Sequence, residues 1–334
     1  MTNAMTPQEA LEILQRDRML SDADLAGADL SGADLSGCFL QNVNLAGAKL
    51  AQLNLSKSQW QNVNLSGADL RGANAAEASF TSVDFSKTIA QAANFSSAFF
   101  GQCNFAATIF KEALLARADA HACRFTETDF SAADLTRWTV MDSDLSSVRF
   151  ERAKLEQAYL KGCIMTGQRF PGCDLTMTIF NNAQLQKADF SNLALDRTSF
   201  MGAQLQGANL SGVRGEYTCL IDAQLQGANL CGASFEMSDA GGANMHGVSA
   251  DKAHWHKSVL QKVDLGEAQL TGTRFVYCDL AHADLSNADC SKADFSYANL
   301  HCIMDKNTRW SGAITDGVYK TDDALARAEK WQAA

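Results

Sequence analysis

The chain has 334 residues, 28 of them basic and 38 acidic, for a formal net charge of -10. That acid excess argues against nucleic acid as a direct ligand, because phosphate recognition needs clustered Lys and Arg. The ordinary apolar share, 46% of residues, excludes a disordered chain, and no apolar run approaches bilayer-spanning length.

The N-terminus, Met1 to Pro7, has no basic stretch followed by an apolar one, so no signal peptide is expected. That reading places the protein in the cytoplasm, with its ten cysteines reduced; export without a cleaved signal would leave no mark. Thr6-Pro7-Gln8-Glu9 reads as a helix start, with Thr as N-cap, Pro in the first turn and Glu three residues after the cap. Residues 1–20 are accordingly expected to form an N-terminal capping helix, with Leu11, Ile13, Leu14 and Leu20 laid on the first coil.

Next comes a strict repeat, expected to occupy residues 21–315. Large apolar residues recur every five positions, as in Leu25, Leu30, Leu35, Leu40 and Leu45, and later Phe95, Phe100, Phe105 and Phe110. Two residues before each stands a small one: Ala23, Ala28, Ala33, Cys38, Val43. A helix repeats its apolar face at 3.6 residues and a half-buried strand at two. A period of five instead means one corner per repeat, with the large and small residues inside and the polar positions outside. Gly recurs two after the large residue, at Gly27, Gly32, Gly37 and Gly47 among others, where the backbone must turn tightly.

Ala-Asp-Leu-Ser-Gly at 28–32 and Ala-Asn-Leu-Ser-Gly at 208–212 resemble the signature unit of pentapeptide-repeat proteins. The resemblance runs through almost all of residues 21–300. It implies an all-β fold, a right-handed quadrilateral parallel β-helix with four repeats per coil and roughly 14 coils, each touching only its neighbours. Large residues twenty apart should then stack: Phe85, Phe105 and Phe125 on one face, and Phe110, Phe130, Phe150, Phe170 and Phe190 on the next. Three positions break the pattern. Trp138 fills a small slot, Gln168 points inward and Gly215 replaces a large residue, and each is expected to bulge or distort the coil. Residues 316–334 read as a C-terminal capping helix beginning at Thr321-Asp322-Asp323. Its apolar stripe of Leu325, Ala328 and Trp331 would cover the last coil or, as in similar proteins, join two copies into a homodimer.

Cys38, Cys103, Cys123, Cys163, Cys173 and Cys278 occupy small inward slots and Cys290 a large one, so they read as buried apolar side chains. Cys219, Cys231 and Cys302 fall outside. His282 and Cys302 are twenty apart and so neighbours, with His301 beside them, but a zinc site needs more convergent ligands. No nucleophile elbow, phosphate loop or zinc-protease motif is present, and stacked coils offer no natural cleft. The sequence therefore assigns no catalytic residue, metal or cofactor. An unrecognised enzymatic or effector site would require a well-formed polar pocket.

Function is expected on the outer faces. On the face holding Leu40, Trp60 and Phe80, the outward positions are often apolar. There Met141, Tyr159, Ile179, Met201, Cys219 and Ile221 form the candidate patch for a protein partner. Quinolone-resistance proteins of similar fold bind gyrase as acidic DNA mimics. Here Arg149, Arg152, Lys154, Lys161 and Arg169 interrupt the acidic surface, so that role is the alternative. The resemblance also extends to proteins associated with bacterial secretion systems, one concrete form of a scaffold.

Overall fold

The structure, a computed structural model, describes residues 3–331. The chain divides into two compact units, Met1–Ile164 with Arg169–Asp174, and Met165–Gln168 with Leu175–Ala334. Each is a parallel β-solenoid whose rungs repeat at twenty residues. In the first unit, Leu40, Trp60, Phe80 and Phe100 are in-register partners in a seven-stranded parallel sheet running from Met19–Ser21 to Thr139–Val140. In the second, bridges link Gln204, Gln224, Asn244, Asp264 and Asp284 in turn.

The corner explains the period. The Ala28 N–H donates to the Leu25 carbonyl at 3.0 Å, closing a turn over Ala26 and Gly27. Gly27 has φ +69°, the left-handed value that the third residue of a type II turn requires. The Asp or Asn before each large residue serves the same corner, because its side chain satisfies a turn donor. Asp24 Oδ1 accepts the Ala26 N–H at 3.2 Å, and Asn44 Nδ2 donates back to Asp24 Oδ1 from the next rung at 2.9 Å. Of each quintet, the large residue and the one two before it are enclosed. Leu65, Ala68 and Phe85 are fully buried and Phe105 is nearly so.

Within the first unit the expected stacks form along Phe85, Phe105 and Phe125 and along Phe110, Phe130, Phe150 and Phe170. Phe110 and Phe130 lie 5.2 Å apart with 6° between ring planes in the first unit, and Phe180 and Phe200 lie 5.3 Å apart at 9° in the second. Buried threonines in the small slots tie rung to rung; the Thr88 hydroxyl donates to the Leu65 carbonyl at 2.8 Å.

The expected bulges do not form. Gly215 lies in a regular strand, Arg214–Glu216, paired with Ser234–Glu236, and the Thr218 side chain fills the space a β-carbon would need. Gln168 is buried and its carbonyl accepts the Asp189 N–H at 2.9 Å, the ordinary rung bond. Trp138 is enclosed between Phe125 and Phe130 and keeps its rung bond to Tyr159, 2.8 Å. The core has room for an indole there because it makes edge and tilted contacts with the two rings. Its indole N–H finds no partner among the described residues.

Helix α1, Pro7–Asp17, has the complete capping box between Thr6 and Glu9, and buries Ala10 and Leu14. Leu20 is buried too, and Leu11 and Ile13 are half-buried. Helix α2, Asp323–Glu329, is N-capped by Asp322 but buries no residue. The expected C-terminal cap is therefore corrected. The last coil keeps its inner side partly open, where Leu300, Ile303, Trp310 and Val318 line a depression of about 490 Å³ together with Asp305 and Lys320. The polar side chains in those inward slots make an uncovered end tolerable in water.

Candidate functional site

Within the repeats of the second unit, most of the exposed apolar side chains lie on one face and its bordering corner, with Met304 and Ile314 on other faces. The residues before the large ones are successive parallel rungs: Ile179, Ser199, Cys219, Asp239, Val259, Asp279 and Asn299. Two positions earlier on these rungs stand corner residues in the left-handed region, among them Arg197, Tyr217, Met237, Tyr277 and Tyr297. A side chain at this corner cannot reach the core, so it projects. Tyr217 is 49% exposed, Met237 39%, Tyr277 51% and Tyr297 48%. Tyr277 and Tyr297 stack at 4.9 Å with 8° between planes, His256 meets Tyr277 edge-on at 5.9 Å, and the Arg197 guanidinium lies 5.8 Å from the Tyr217 ring centre.

The residues read from sequence fall in three places. In the second unit Met201 is exposed, while Ile179, Cys219 and Ile221 are half-buried on the same face. In the first unit Met141 is exposed and Tyr159 half-buried. Leu325 and Ala328 on α2 are exposed, and Trp331, just past it, is 77% exposed. The Tyr217–Met237–Tyr277–Tyr297 ridge was missed because the corner was read only for its glycines. The signal was available, since these residues are multiples of twenty apart in the position two after the large one.

The inward cysteines behave as packing groups. Burial pushes the Cys163 thiol up to about 11 and those of Cys173, Cys278 and Cys290 up to about 12, because a thiolate there would lose its hydration. All ten cysteines are free thiols; Cys219, Cys231 and Cys302 are only partly covered, and so is Cys123, although its small inward slot predicts burial. Among the described residues no helix is long and apolar enough to cross a membrane.

Two family models match this sequence. The pentapeptide repeat region matches residues 143–220, and pentapeptide repeats (8 copies) match residues 20–59, 61–96, 100–137, 218–254, 241–275 and 273–303. The chain belongs to the pentapeptide-repeat family. Among solved structures, this pentapeptide-repeat protein is similar to QnrB1, a plasmid-mediated fluoroquinolone resistance protein, at 21% identity over 61% of this chain and 89% of that one, with a TM-score of 0.33. It is also similar to HetL, involved in heterocyst differentiation regulation in the cyanobacterium Nostoc sp. strain PCC 7120, at 20% identity over 94% and 96% of the two chains, with a TM-score of 0.19. A pentapeptide repeat protein of the Arabidopsis thaliana thylakoid lumen matches at 27% identity over 37% of this chain and 68% of that one, with a TM-score of 0.15. No curated protein matches the sequence.

Proposed function

We propose that this pentapeptide-repeat protein is a non-enzymatic, cytoplasmic scaffold that binds a protein partner on the outer surface of its second unit. The observation that carries this reading is the projecting ridge of Tyr217, Met237, Tyr277 and Tyr297 beside the face holding Ile179, Met201, Cys219 and Ile221. Tyrosine offers large, stiff, amphipathic contact area and is enriched, with arginine, where binding energy concentrates. Met141 and Tyr159, the other patch residues read from the sequence, lie on the first unit and are not part of this surface. Electrostatics disfavour the DNA-mimic alternative: Arg274 lies 3.8 Å from Asp294 and Arg309 3.0 Å from Asp289, so the acidic rungs are partly neutralised rather than of one sign.

Affinity capture from a lysate of the source organism, followed by titration of the purified partner, tests the reading. The Tyr277→Ser/Tyr297→Ser and Ile179→Asp/Ile221→Asp double variants should each weaken binding about tenfold or more; undiminished binding by both would remove the surface. A homodimer through Leu325, Ala328 and Trp331 is a separate contact, and loss of dimer mass on deleting residues 318–334 is its test.

A further inference from the structure

We propose that His282, Cys302 and Glu329 form a binding site for zinc(II) that clamps helix α2 to the flank of the last coils. The repeat brings the first two together, since both stand two after a large residue and are twenty apart. The third comes from the folded-back α2, which no periodicity predicts. One ligand atom from each lies within 4.8 Å of the others. His282 Nε2 is 3.2 Å from Glu329 Oε2. Ligands around a tetrahedral zinc, with Zn–N and Zn–O near 2.0 Å and Zn–S near 2.3 Å, sit roughly 3.3–3.8 Å apart.

His301 is built to orient this group. It is 4% exposed, and its Nδ1 accepts the Asp322 backbone N–H at 3.1 Å. With that lone pair engaged, Nε2 is the donor nitrogen, 3.2 Å from Glu329 Oε2 and 3.3 Å from Cys302 Sγ. A buried histidine thereby donates to the carboxylate that would hold the metal, the second partner that such ligands generally have. The Cys302 backbone is pinned as well, its N–H donating to Thr321 Oγ1 at 3.1 Å.

The chemistry selects the ion. One thiolate, one imidazole and one carboxylate suit zinc, whereas calcium and magnesium prefer all-oxygen sets. The Cys302 thiol loses its proton to solvent as the Zn–S bond forms, so two negative ligands balance the dication. Three protein ligands leave a fourth position for water. The site also answers a structural question. A seven-residue helix with no buried side chain is too short to persist on propensity alone, and Glu329 is its contact with His282 and His301.

The test uses the full chain, stripped of metal and titrated with zinc against a chromophoric chelator, then with cobalt(II). One zinc per chain should bind, and cobalt should show a thiolate charge-transfer band. His282→Ala, Cys302→Ser and Glu329→Gln should each weaken zinc about 100-fold or more, with the solenoid's circular dichroism unchanged. A chain ending at residue 320, which keeps every repeat, should lose the site equally. His301→Gln should weaken zinc about 10–100-fold yet retain the charge-transfer band, which marks a positioning residue. No saturable one-to-one binding, or binding undiminished in Cys302→Ser or in the shortened chain, would overturn the proposal.

Discussion

The buried hydroxyl of Thr108 donates to the carbonyl oxygen of Phe85 at 2.7 Å, from one rung to the turn of the rung before it. The same oxygen accepts the Thr88 N–H at 3.0 Å, so one carbonyl closes a corner and joins two coils. Thr108→Val keeps the shape and leaves the carbonyl with its turn donor. It should therefore cost only about 1 kcal/mol, the usual net worth of a hydrogen bond. Chemical denaturation of the variant beside the wild type checks it; a loss of several kcal/mol would mean the hydroxyl holds more than this bond.

Phe130 touches Phe110, Phe150 and Trp138, with ring centres 5.2, 6.1 and 5.2 Å away. Phe130→Ala should cost about 3–5 kcal/mol, through lost burial and the cavity left behind. Because coils contact only their neighbours, the damage should be local. Hydrogen exchange should quicken most around residues 110–150 and little near α1. Uniform quickening would contradict the coil-by-coil picture.

Acid should loosen the corners. Arg71 beside Asp69 holds that carboxyl below its usual range, the Ser36 N–H does so for Asp34, and the Ser291 hydrogen bonds do so for Asp289. A carboxylate whose folded pKa is depressed contributes stability that is present above its unfolded pKa, near 3.8, and lost as pH falls through the lower folded value. Denaturation midpoints should be level near neutrality and drop below about pH 4. A midpoint that rose as pH fell through this window would reverse the sign and refute the corner role.

Thiol chemistry should sort by slot. Cys163, Cys173, Cys278 and Cys290 are buried and held protonated by burial, so a thiol reagent should modify them only at the rate of local opening. Cys219 and Cys231, on outward positions, should react first. Mass spectrometry of briefly labelled protein reads the order, and early labelling of Cys290 would contradict the enclosed core.

The solenoid was legible because its corner is a local event. Asp24, Leu25 and Gly27 carry the turn bonds within a few residues, so five-residue spacing alone names the inside and the outside. Two things were not legible. The consequence of Gly215 depended on Thr218 filling the gap, a choice made by packing rather than by pattern. The course of α2 depended on Glu329 meeting His282 and His301, a contact between distant segments with no period to announce it. The aromatic ridge lies between these cases: Tyr277 and Tyr297 follow the repeat, but only their shared corner reveals that they stack in the open.

The most direct test of an outward-facing docking role is hydroxyl-radical footprinting of the protein with and without its captured partner. Protection of Tyr217, Met237, Tyr277 and Tyr297, with Phe110 and Phe130 silent in both states, is the predicted result. Unchanged labelling along that ridge in a saturated complex would contradict it.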